Sequence, residues 1–279
     1  MKWDRRFREE TFRTHAELTR SAAGAGAELV VWSESATAFV YQREPEYQQR
    51  LAALVRESGT PLLFGSPAYE TRDGKSSLRN RAYLLGADGQ VAGWQDKQQL
   101  VPFGEFVPFK RALFFARPLV QAVGSFEPGE RPEVLSVPGG RFGTLVCYEV
   151  IFPDLVRRFA AAGAEFLVNI TNDAWYERSA ASRQQFANLA FRAVENRRPI
   201  ARSANTGISG FVDIDGRIIS ASELFVKGQY RATLTLSHRI TLYTAWGDWL
   251  PRLCVLIAIA ALFAARFYPG RLQRNNPSE

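Results

Sequence analysis

The feature that most constrains this chain's fold is the alternation of short apolar runs with amphipathic segments. Runs typical of buried strands are "AELVVWSES", "TPLLFGSPAYE", "RFGTLVCYEV" and "AEFLVNITNDAW". Apolar residues at helical spacing, with glycine stops, predict helices over 5–23, 44–58, 153–163 and 181–197. Strands that alternate with helices in this way indicate an α/β domain.

Two further segments predict antiparallel strand pairs. "RNRAYLLGADGQVAGWQDK" has the character of a hairpin, and "RPIARSANTGISGFVDIDGRII" predicts a strand, a turn and a strand. Because continuous apolar strands and hairpins occur together, the pattern favours a layered α–β sandwich over a simple doubly wound sheet.

Composition excludes several kinds of site. The two cysteines, Cys147 and Cys254, lie in very different contexts, which argues against a disulfide framework and a cysteine-rich metal site. The chain has only two histidines, which argues against a histidine-rich metal site and against a Ser-His-Asp triad. A net charge of +7 suits nucleic acid or anionic lipid, but no RNA-binding motif or phosphate loop supports the former. We therefore expect no metal, no cofactor and no nucleic-acid partner.

The C-terminal region carries the longest apolar stretch, Leu253–Ala265. With its aromatic flanks it extends over Trp249–Tyr268, about the 20 residues that a bilayer requires, if Arg252 and Arg266 snorkel to the headgroups. We predict that 249–268 is a transmembrane helix. By the positive-inside rule the basic tail 269–279 is cytoplasmic, and the large domain lies on the opposite side. A buried core helix is the alternative.

Reactive side chains follow three of the predicted strands. Glu34 comes after "LVVWS", Lys97 after "VAGWQD" and Cys147 after "FGTLV". α/β folds place their sites outside the carboxyl ends of strands. A carboxylate, an amine and a thiol can together provide a base, an electrostatic stabiliser and a nucleophile. Taken singly, a cysteine after a strand is more often a small buried apolar residue, and a lone glutamate or lysine is usually a solvated surface charge.

The sequence segments around these three residues resemble those of a known family. "WSESA", "DKQQLVPFGEFVP" and "CYEVIFPDLVR", in this order, resemble the nitrilase (carbon-nitrogen hydrolase) superfamily. "NDAWY", "AFRAVENRRPIARSANTGISGFVD" and "TLYTAWGDW" are similar to its apolipoprotein N-acyltransferase branch. The resemblance covers nearly the whole chain. It implies a nitrilase-like αββα four-layer sandwich over 1–238, a linker over 239–248 and one C-terminal transmembrane helix.

The resemblance also implies roles for individual residues. By similarity, Glu34 is the general base, Lys97 stabilises the tetrahedral intermediate and Cys147 is the nucleophile. The remaining residues have supporting roles by the same similarity: Glu105 positions the lysine, Tyr148 and Glu149 match residues that the family needs beside the cysteine, and Trp3 lies near the substrate cleft.

The implied activity is acyl transfer at a bacterial inner membrane, with the catalytic domain on the periplasmic side. An acyl chain would pass from a phospholipid to Cys147 as a thioester. It would then pass to the α-amine of the N-terminal diacylglyceryl-cysteine of an apolipoprotein. Two alternatives stay open: an amidase acting on a small amide, and an inactive, truncated, membrane-tethered remnant.

The chain departs from the family pattern in some places. Full-length relatives carry membrane helices before this domain, and from the resemblance we expect this chain to lack both those helices and the strand that precedes "KWD". Glu177 and Gln185 occupy positions where glycine and histidine are common, which we expect to affect loop shape rather than the triad.

Two segments allow alternative interpretations. The Pro-rich segment 100–128 is either core or a lipid-facing loop that admits acyl chains, and its phenylalanines are Phe103, Phe106, Phe109, Phe114, Phe115 and Phe126. Asn172, Asp173 and Trp175 either shape the pocket floor or cap the end of a strand.

Overall fold

The computed structural model describes residues 5–37, 39–72, 74–106 and 126–267. Several positions considered above lie outside these ranges: Trp3, Phe109, Phe114, Phe115, Tyr268 and the tail 269–279.

The first half of the described chain forms two helices and a four-stranded sheet. The helices are α1 (Arg5–Gly24) and α2 (Pro45–Ser58). The strands are β1 (Val30–Val31), β2 (Leu62–Arg72), β3 (Lys75–Leu85) and β4 (Val91–Asp96). The sheet has the order β1-β2-β3-β4, with β1 parallel to β2 and the other pairs antiparallel.

The second half forms a six-stranded sheet with its own helices. Its strands are β5 (Val134–Val137), β6 (Gly140–Val146), β7 (Phe166–Asn172), β8 (Ile200–Asn205), β9 (Gly210–Val212) and β10 (Ile218–Ala221). Their order is β10-β9-β8-β7-β6-β5, and β6, β7 and β8 are mutually parallel. The helices are α3 (Pro153–Ala161), α4 (Ala181–Asn196), α5 (Leu242–Trp246) and α6 (Trp249–Phe267).

Side-chain alternation along the strands produces the layers. In β2, Leu62 and Phe64 pack into one apolar cluster, whereas Leu63 belongs to a second cluster that includes Val146 and Ile170 of the other sheet. Successive strand residues point to opposite faces, so each sheet has a helix-covered face and a face against the other sheet.

The helices complete the outer layers. Leu51 and Leu54 of α2 pack with the first cluster, and Phe159 of α3 and Leu189 of α4 pack with Leu167 of β7 in a third. Each such side chain, when fully buried, contributes about 1.5–3 kcal/mol of transfer free energy. The order helix, sheet, sheet, helix confirms the predicted four-layer α/β sandwich.

The boundaries of α2 follow directly from its sequence. Pro45 is at the first helical position, where its missing N–H costs nothing. Gly59 has φ +63 and donates its N–H to the Val55 carbonyl at 2.9 Å, closing the last turn in the left-handed conformation that glycine adopts readily. The predicted stop at Gly59 is confirmed.

Three predicted strands are longer than those observed. β1 covers only two residues of "AELVVWSES". β6 ends at Val146 because Cys147 turns into a short 3₁₀ helix, Cys147–Ile151. β7 ends at Asn172, whose side chain accepts the Ala174 N–H at 3.4 Å and starts a second 3₁₀ turn.

The helix α6 is apolar and exposed. Its mean hydropathy is 1.9 and none of its residues is buried. Its 19 residues extend over about 28 Å, close to the thickness of a bilayer's hydrocarbon core. A core helix would be covered by the domain, and in the part of the chain that the structure describes α6 is not, which favours the predicted transmembrane helix over a core helix.

The segment 239–248, expected to be a linker, contains α5. The Thr244 hydroxyl donates to Asn196 Oδ1 at 3.1 Å, and the Thr244 carbonyl accepts from the Arg157 guanidinium at 3.1 Å. This short helix is therefore fastened to α3 and α4.

Candidate active site

The turn after β6 places Cys147 in an uncommon backbone conformation. Its φ is +59, in the left-handed region that costs a residue with a Cβ about 1–2 kcal/mol. The side chain is buried and belongs to the apolar cluster between the two sheets. Strain of this kind persists only where surrounding contacts hold it, and it is concentrated at functional sites.

A buried cluster of charges lies at the carboxyl ends of β1 and β4. Lys97 Nζ is 2.9 Å from Glu105 Oε1 and 3.6 Å from Glu34 Oε1. Lys97 is only 1% exposed. One ammonium thus lies beside two carboxylates, and the structure brings together these three residues that the sequence pointed to.

Asn80 of β3 bridges the two carboxylates. Its Nδ2 donates to Glu34 Oε1 at 2.7 Å and to Glu105 Oε1 at 2.8 Å. The second oxygens accept backbone N–H groups: Glu34 Oε2 from Asn172 at 2.9 Å, and Glu105 Oε2 from Val101 at 2.8 Å. All four carboxylate oxygens therefore have partners, as buried charged groups require.

Electrostatics keep Lys97 charged. Burial is the largest single influence on its pKa and lowers it, but the charges of the Glu34 and Glu105 carboxylates act against burial and the pKa stands above its ordinary value. Lys97 is therefore an ammonium at neutral pH.

The Cys147 thiol is in the opposite situation. Burial and the Glu34 carboxylate raise the pKa of Cys147 to about 12, and Lys97 opposes them. The resting residue is a thiol. Transfer of the thiol proton to Glu34 would neutralise this carboxylate, and its charge would then no longer raise the pKa of Cys147.

Glu149 links the Cys147 turn to the segment that follows Lys97. Its Oε1 accepts the N–H groups of Gln98 and Gln99 at 2.6 and 3.0 Å, and its Oε2 accepts the Val146 N–H at 2.7 Å. Burial raises the pKa of Glu149 to about 7, against the effect of these three donors. Glu149 is thus placed to hold two site segments in register.

Tyr148 lies beside the lysine. Its hydroxyl donates to the Leu100 carbonyl at 2.7 Å, and its ring centroid is 5.5 Å from Lys97 Nζ. This distance suits a cation–π contact. Trp3, the remaining candidate, lies outside the described residues.

The strand-end residues Asn172, Asp173 and Trp175 have different surroundings. Asn172 caps the turn after β7, Asp173 is buried in an ion pair with Arg202, and Trp175 is 84% exposed. Gln185 also contacts Arg202, through a 3.2 Å hydrogen bond from the guanidinium to Oε1. In the described ranges, no group of three or more His, Cys, Asp or Glu side chains is arranged to hold a metal ion.

Sequence reasoning missed Asn80, Asn169 and Arg202. Each is a buried polar residue within a strand. The only sequence signal is a polar residue interrupting an apolar run, as Asn169 does in "FLVNIT". Such a residue is equally common on exposed strand faces, so the signal does not identify a site.

Most of the chain is similar to known proteins. The model of the carbon-nitrogen hydrolase family matches residues 3–243. The apolipoprotein N-acyltransferase of Geobacter metallireducens is 44% identical over 266 residues, which cover 95% of this chain and 51% of that protein. Apolipoprotein N-acyltransferase 2 of Treponema denticola is 34% identical over 279 residues, covering 94% and 52%. The chain therefore spans about half the length of these relatives.

Among solved structures, an amidase from Nesterenkonia sp. has a TM-score of 0.59 at 23% identity, over 77% of this chain and 81% of that chain. This likeness supports the fold alone. A variant of the amidase from Nesterenkonia sp. AN1 is described as showing Michael addition of acrylamide at the active-site cysteine.

Proposed function

Because the chain belongs to the carbon-nitrogen hydrolase family, we propose that Cys147, Lys97 and Glu34 form the catalytic centre of an apolipoprotein N-acyltransferase. The observation that carries this choice is the exposed apolar helix α6, which would hold the centre at a bilayer. The names of the relatives with 44% and 34% identity support the same activity.

In the first half-reaction, Cys147 Sγ attacks the ester carbonyl carbon of a phospholipid acyl chain. The thiol proton passes to Glu34, and the negative charge that develops on the carbonyl oxygen faces the Lys97 ammonium. The carbon–oxygen ester bond breaks, and Glu34 returns the proton to the leaving lysophospholipid oxygen. The product is a thioester on Cys147.

In the second half-reaction, the α-amine of a diacylglyceryl-modified N-terminal cysteine attacks the thioester carbon. Glu34 takes a proton from the attacking nitrogen, the carbon–sulfur bond breaks, and Glu34 gives that proton to the departing Cys147 thiolate, which becomes a thiol again. An amide forms and the enzyme is restored. The balance requires no oxidant or reductant.

The electrostatics of the site support these roles. A charged Glu34 raises the pKa of Cys147, and this influence disappears once Glu34 has accepted the thiol proton. The thiolate then faces Lys97, whose charge is maintained by Glu105 at 2.9 Å. A neighbouring base of this kind activates a thiol that is otherwise protonated.

The location follows from α6. We propose that it spans the bacterial inner membrane with the tail 269–279 in the cytoplasm and the catalytic domain on the periplasmic side, as the basic residues of the tail favour. Phospholipid and apolipoprotein are the proposed partners.

Intact-protein mass spectrometry tests this function. The full chain is incubated with phospholipid in mixed micelles, and we expect an acyl adduct on Cys147 that is absent in Cys147→Ser and present in Cys254→Ser. Addition of a diacylglyceryl-cysteine peptide should remove the adduct and acylate the peptide. Hydrolysis of soluble amides without an adduct would identify an amidase, and neither reaction would identify an inactive remnant.

A further inference from the structure

Two backbone carbonyls around the nucleophile converge on one side chain. Asn169 Nδ2 lies 3.0 Å from the carbonyl oxygen of Leu145 and 3.0 Å from that of Cys147. The two carbonyls belong to the residues before and after Val146, which is the last residue of β6; the next residue, Cys147, has the left-handed conformation. The Asn169 amide therefore fastens the end of β6 to the first residue of the turn that presents the thiol.

The orientation of this amide is fixed by Arg202. The guanidinium Nη1 donates to Asn169 Oδ1 at 2.5 Å. Arginine has donors and no acceptor, so the amide oxygen must face Arg202 and the NH₂ group must face the two carbonyls. Asn169 is fully buried, and no solvent competes for these bonds.

Arg202 is itself held on several sides. Its Nη2 donates to Asp173 Oδ2 at 3.0 Å and to Gln185 Oε1 at 3.2 Å, and its Nε donates to the Ile208 carbonyl at 3.2 Å. Its side chain is 0% exposed. A buried ion pair is often no more stabilising than apolar residues of similar volume, so stability alone is a weak explanation for this one.

We propose that Asn169 is a positioning residue for the nucleophile, and that Arg202 sets its orientation. Asn169 acts through the Cys147 backbone and does not contact the reacting atoms. The inference rests on the proposed function in one respect, that Cys147 is the nucleophile.

The test compares two isosteric variants of buried asparagines, both made in a Cys254→Ser background. In Asn169→Asp, one carboxylate oxygen still accepts from Arg202, but the other cannot donate to the carbonyls. Asn196→Asp is the matched control: Asn196 is also fully buried, and its Nδ2 donates to a helix carbonyl, that of Arg192, at 3.1 Å.

The readouts are thioester formation from phospholipid, acrylamide addition to Cys147 followed by intact mass, and the melting temperature. We expect Asn169→Asp to slow thioester formation by about 100-fold, the scale of a 1 Å misplacement, with the half-saturating phospholipid concentration unchanged. Acrylamide addition should slow by about 10-fold or more. Asn196→Asp should lower the melting temperature and leave both rates within about two-fold of the parent.

A parent-like acrylamide rate in Asn169→Asp would overturn the proposal, and so would equal slowing in both variants. If Asn169→Asp does not fold, Arg202→Lys replaces it, because lysine keeps the charge beside Asp173 but cannot also hold the amide. A parent-like rate in that variant would overturn the proposal as well.

The two readouts also separate this proposal from the proposed function, because acrylamide addition needs no acyl transfer. A parent that adds acrylamide at Cys147 but forms no thioester refutes the proposed function while still testing Asn169. A parent that does neither refutes both.

Discussion

The backbone N–H of Asn172 donates a 2.9 Å hydrogen bond to the Glu34 carboxylate, although the residues are 138 positions apart. Glu34 follows β1 of the four-stranded sheet, and Asn172 ends β7 of the six-stranded sheet. The proposed base is therefore held by both sheets. The site is complete only when the two sheets have packed against each other.

Replacement of Cys147 by serine should reduce acyl transfer by at least about 1,000-fold, because the same carboxylate cannot readily deprotonate a hydroxyl. Radiolabelled acyl transfer to a lipopeptide measures the effect. Cys254→Ser is the control, since Cys254 is exposed on α6, and it should retain parent activity. Equal losses in both variants would contradict the nucleophile assignment.

Lys97→Arg should not preserve activity, and we expect a loss of about 100-fold or more. Lys97 is almost fully buried between two carboxylates, and a planar guanidinium does not fit a compact ammonium site. Steady-state acyl transfer is the measurement. Lys227→Arg is the control because the Lys227 ammonium contacts Thr14 at the exposed surface. Parent-like activity in Lys97→Arg would mean that a positive charge at this position is sufficient for acyl transfer and that the compact shape of the ammonium is not required.

Asn80→Asp should reduce activity by about 100-fold. It removes two hydrogen bonds to charged groups, each worth about 1.5–3 kcal/mol, and adds a third carboxylate beside Glu34 and Glu105. Asn188→Asp, at an exposed site on α4, is the control and should leave activity unchanged. Acyl-transfer rates of the two variants are compared, and an active Asn80→Asp enzyme would show that the bridge is dispensable.

Glu149→Gln should change how stability depends on pH. Burial raises the folded-state pKa of Glu149 from 4.5 to about 7, so the folded chain binds a proton more tightly than the unfolded chain. This group therefore stabilises the fold most fully below pH 4.5, and its contribution is lost as pH rises towards about 7. Urea titrations across this window should show a smaller decline in the free energy of unfolding for Glu149→Gln. An equal decline in the free energy of unfolding of the parent and of Glu149→Gln would contradict the raised pKa of Glu149.

Two arginines at the centre of α6, in Ile257→Arg/Ile259→Arg, should release the chain from membranes. Each costs about 2.5–3.5 kcal/mol at the centre of a spanning helix. Carbonate extraction is the measurement. Leu250→Arg/Ala265→Arg is the matched control, because arginines near helix ends snorkel to the headgroups. Extraction of the unmodified chain would contradict a spanning helix.

The orientation of α6 is tested separately. A reporter active only in the cytoplasm, fused after Glu279, should be active when the chain is expressed with the upstream membrane helices of a full-length relative. A silent reporter would mean that the proposed orientation is wrong.

The local patterns were sufficient to predict a layered α–β sandwich, because side-chain alternation and glycine stops are local properties, whereas the four-layer arrangement was implied by the family resemblance. Their positions after strands made Glu34, Lys97 and Cys147 candidates, and the family resemblance supplied the roles proposed for them. The stop at Gly59 is an example in which one residue's backbone preference determines a boundary.

The partners of those residues could not be predicted in the same way. Asn80 meets Glu34 across 46 positions, and Asn169 meets Cys147 across 22. Such pairs depend on strand order and register, which no local pattern specifies. The left-handed conformation of Cys147 was missed for a related reason: its stabilising contacts come from a neighbouring strand.

The turn at Gly247 determines how α6 leaves the domain. Gly247 has φ +60 and ψ −137, its N–H donates to the Tyr243 carbonyl at 2.8 Å, and an added Cβ would lie 3.2 Å from Arg157 Nε. A hydrogen-bonded corner of this kind confines the domain to a narrower volume than a flexible linker would. If α6 is embedded in a bilayer, the catalytic centre meets lipid by diffusion within the plane of the membrane, where the effective concentration of lipid is high. The conformation of Gly247 then determines how the centre is held relative to that plane.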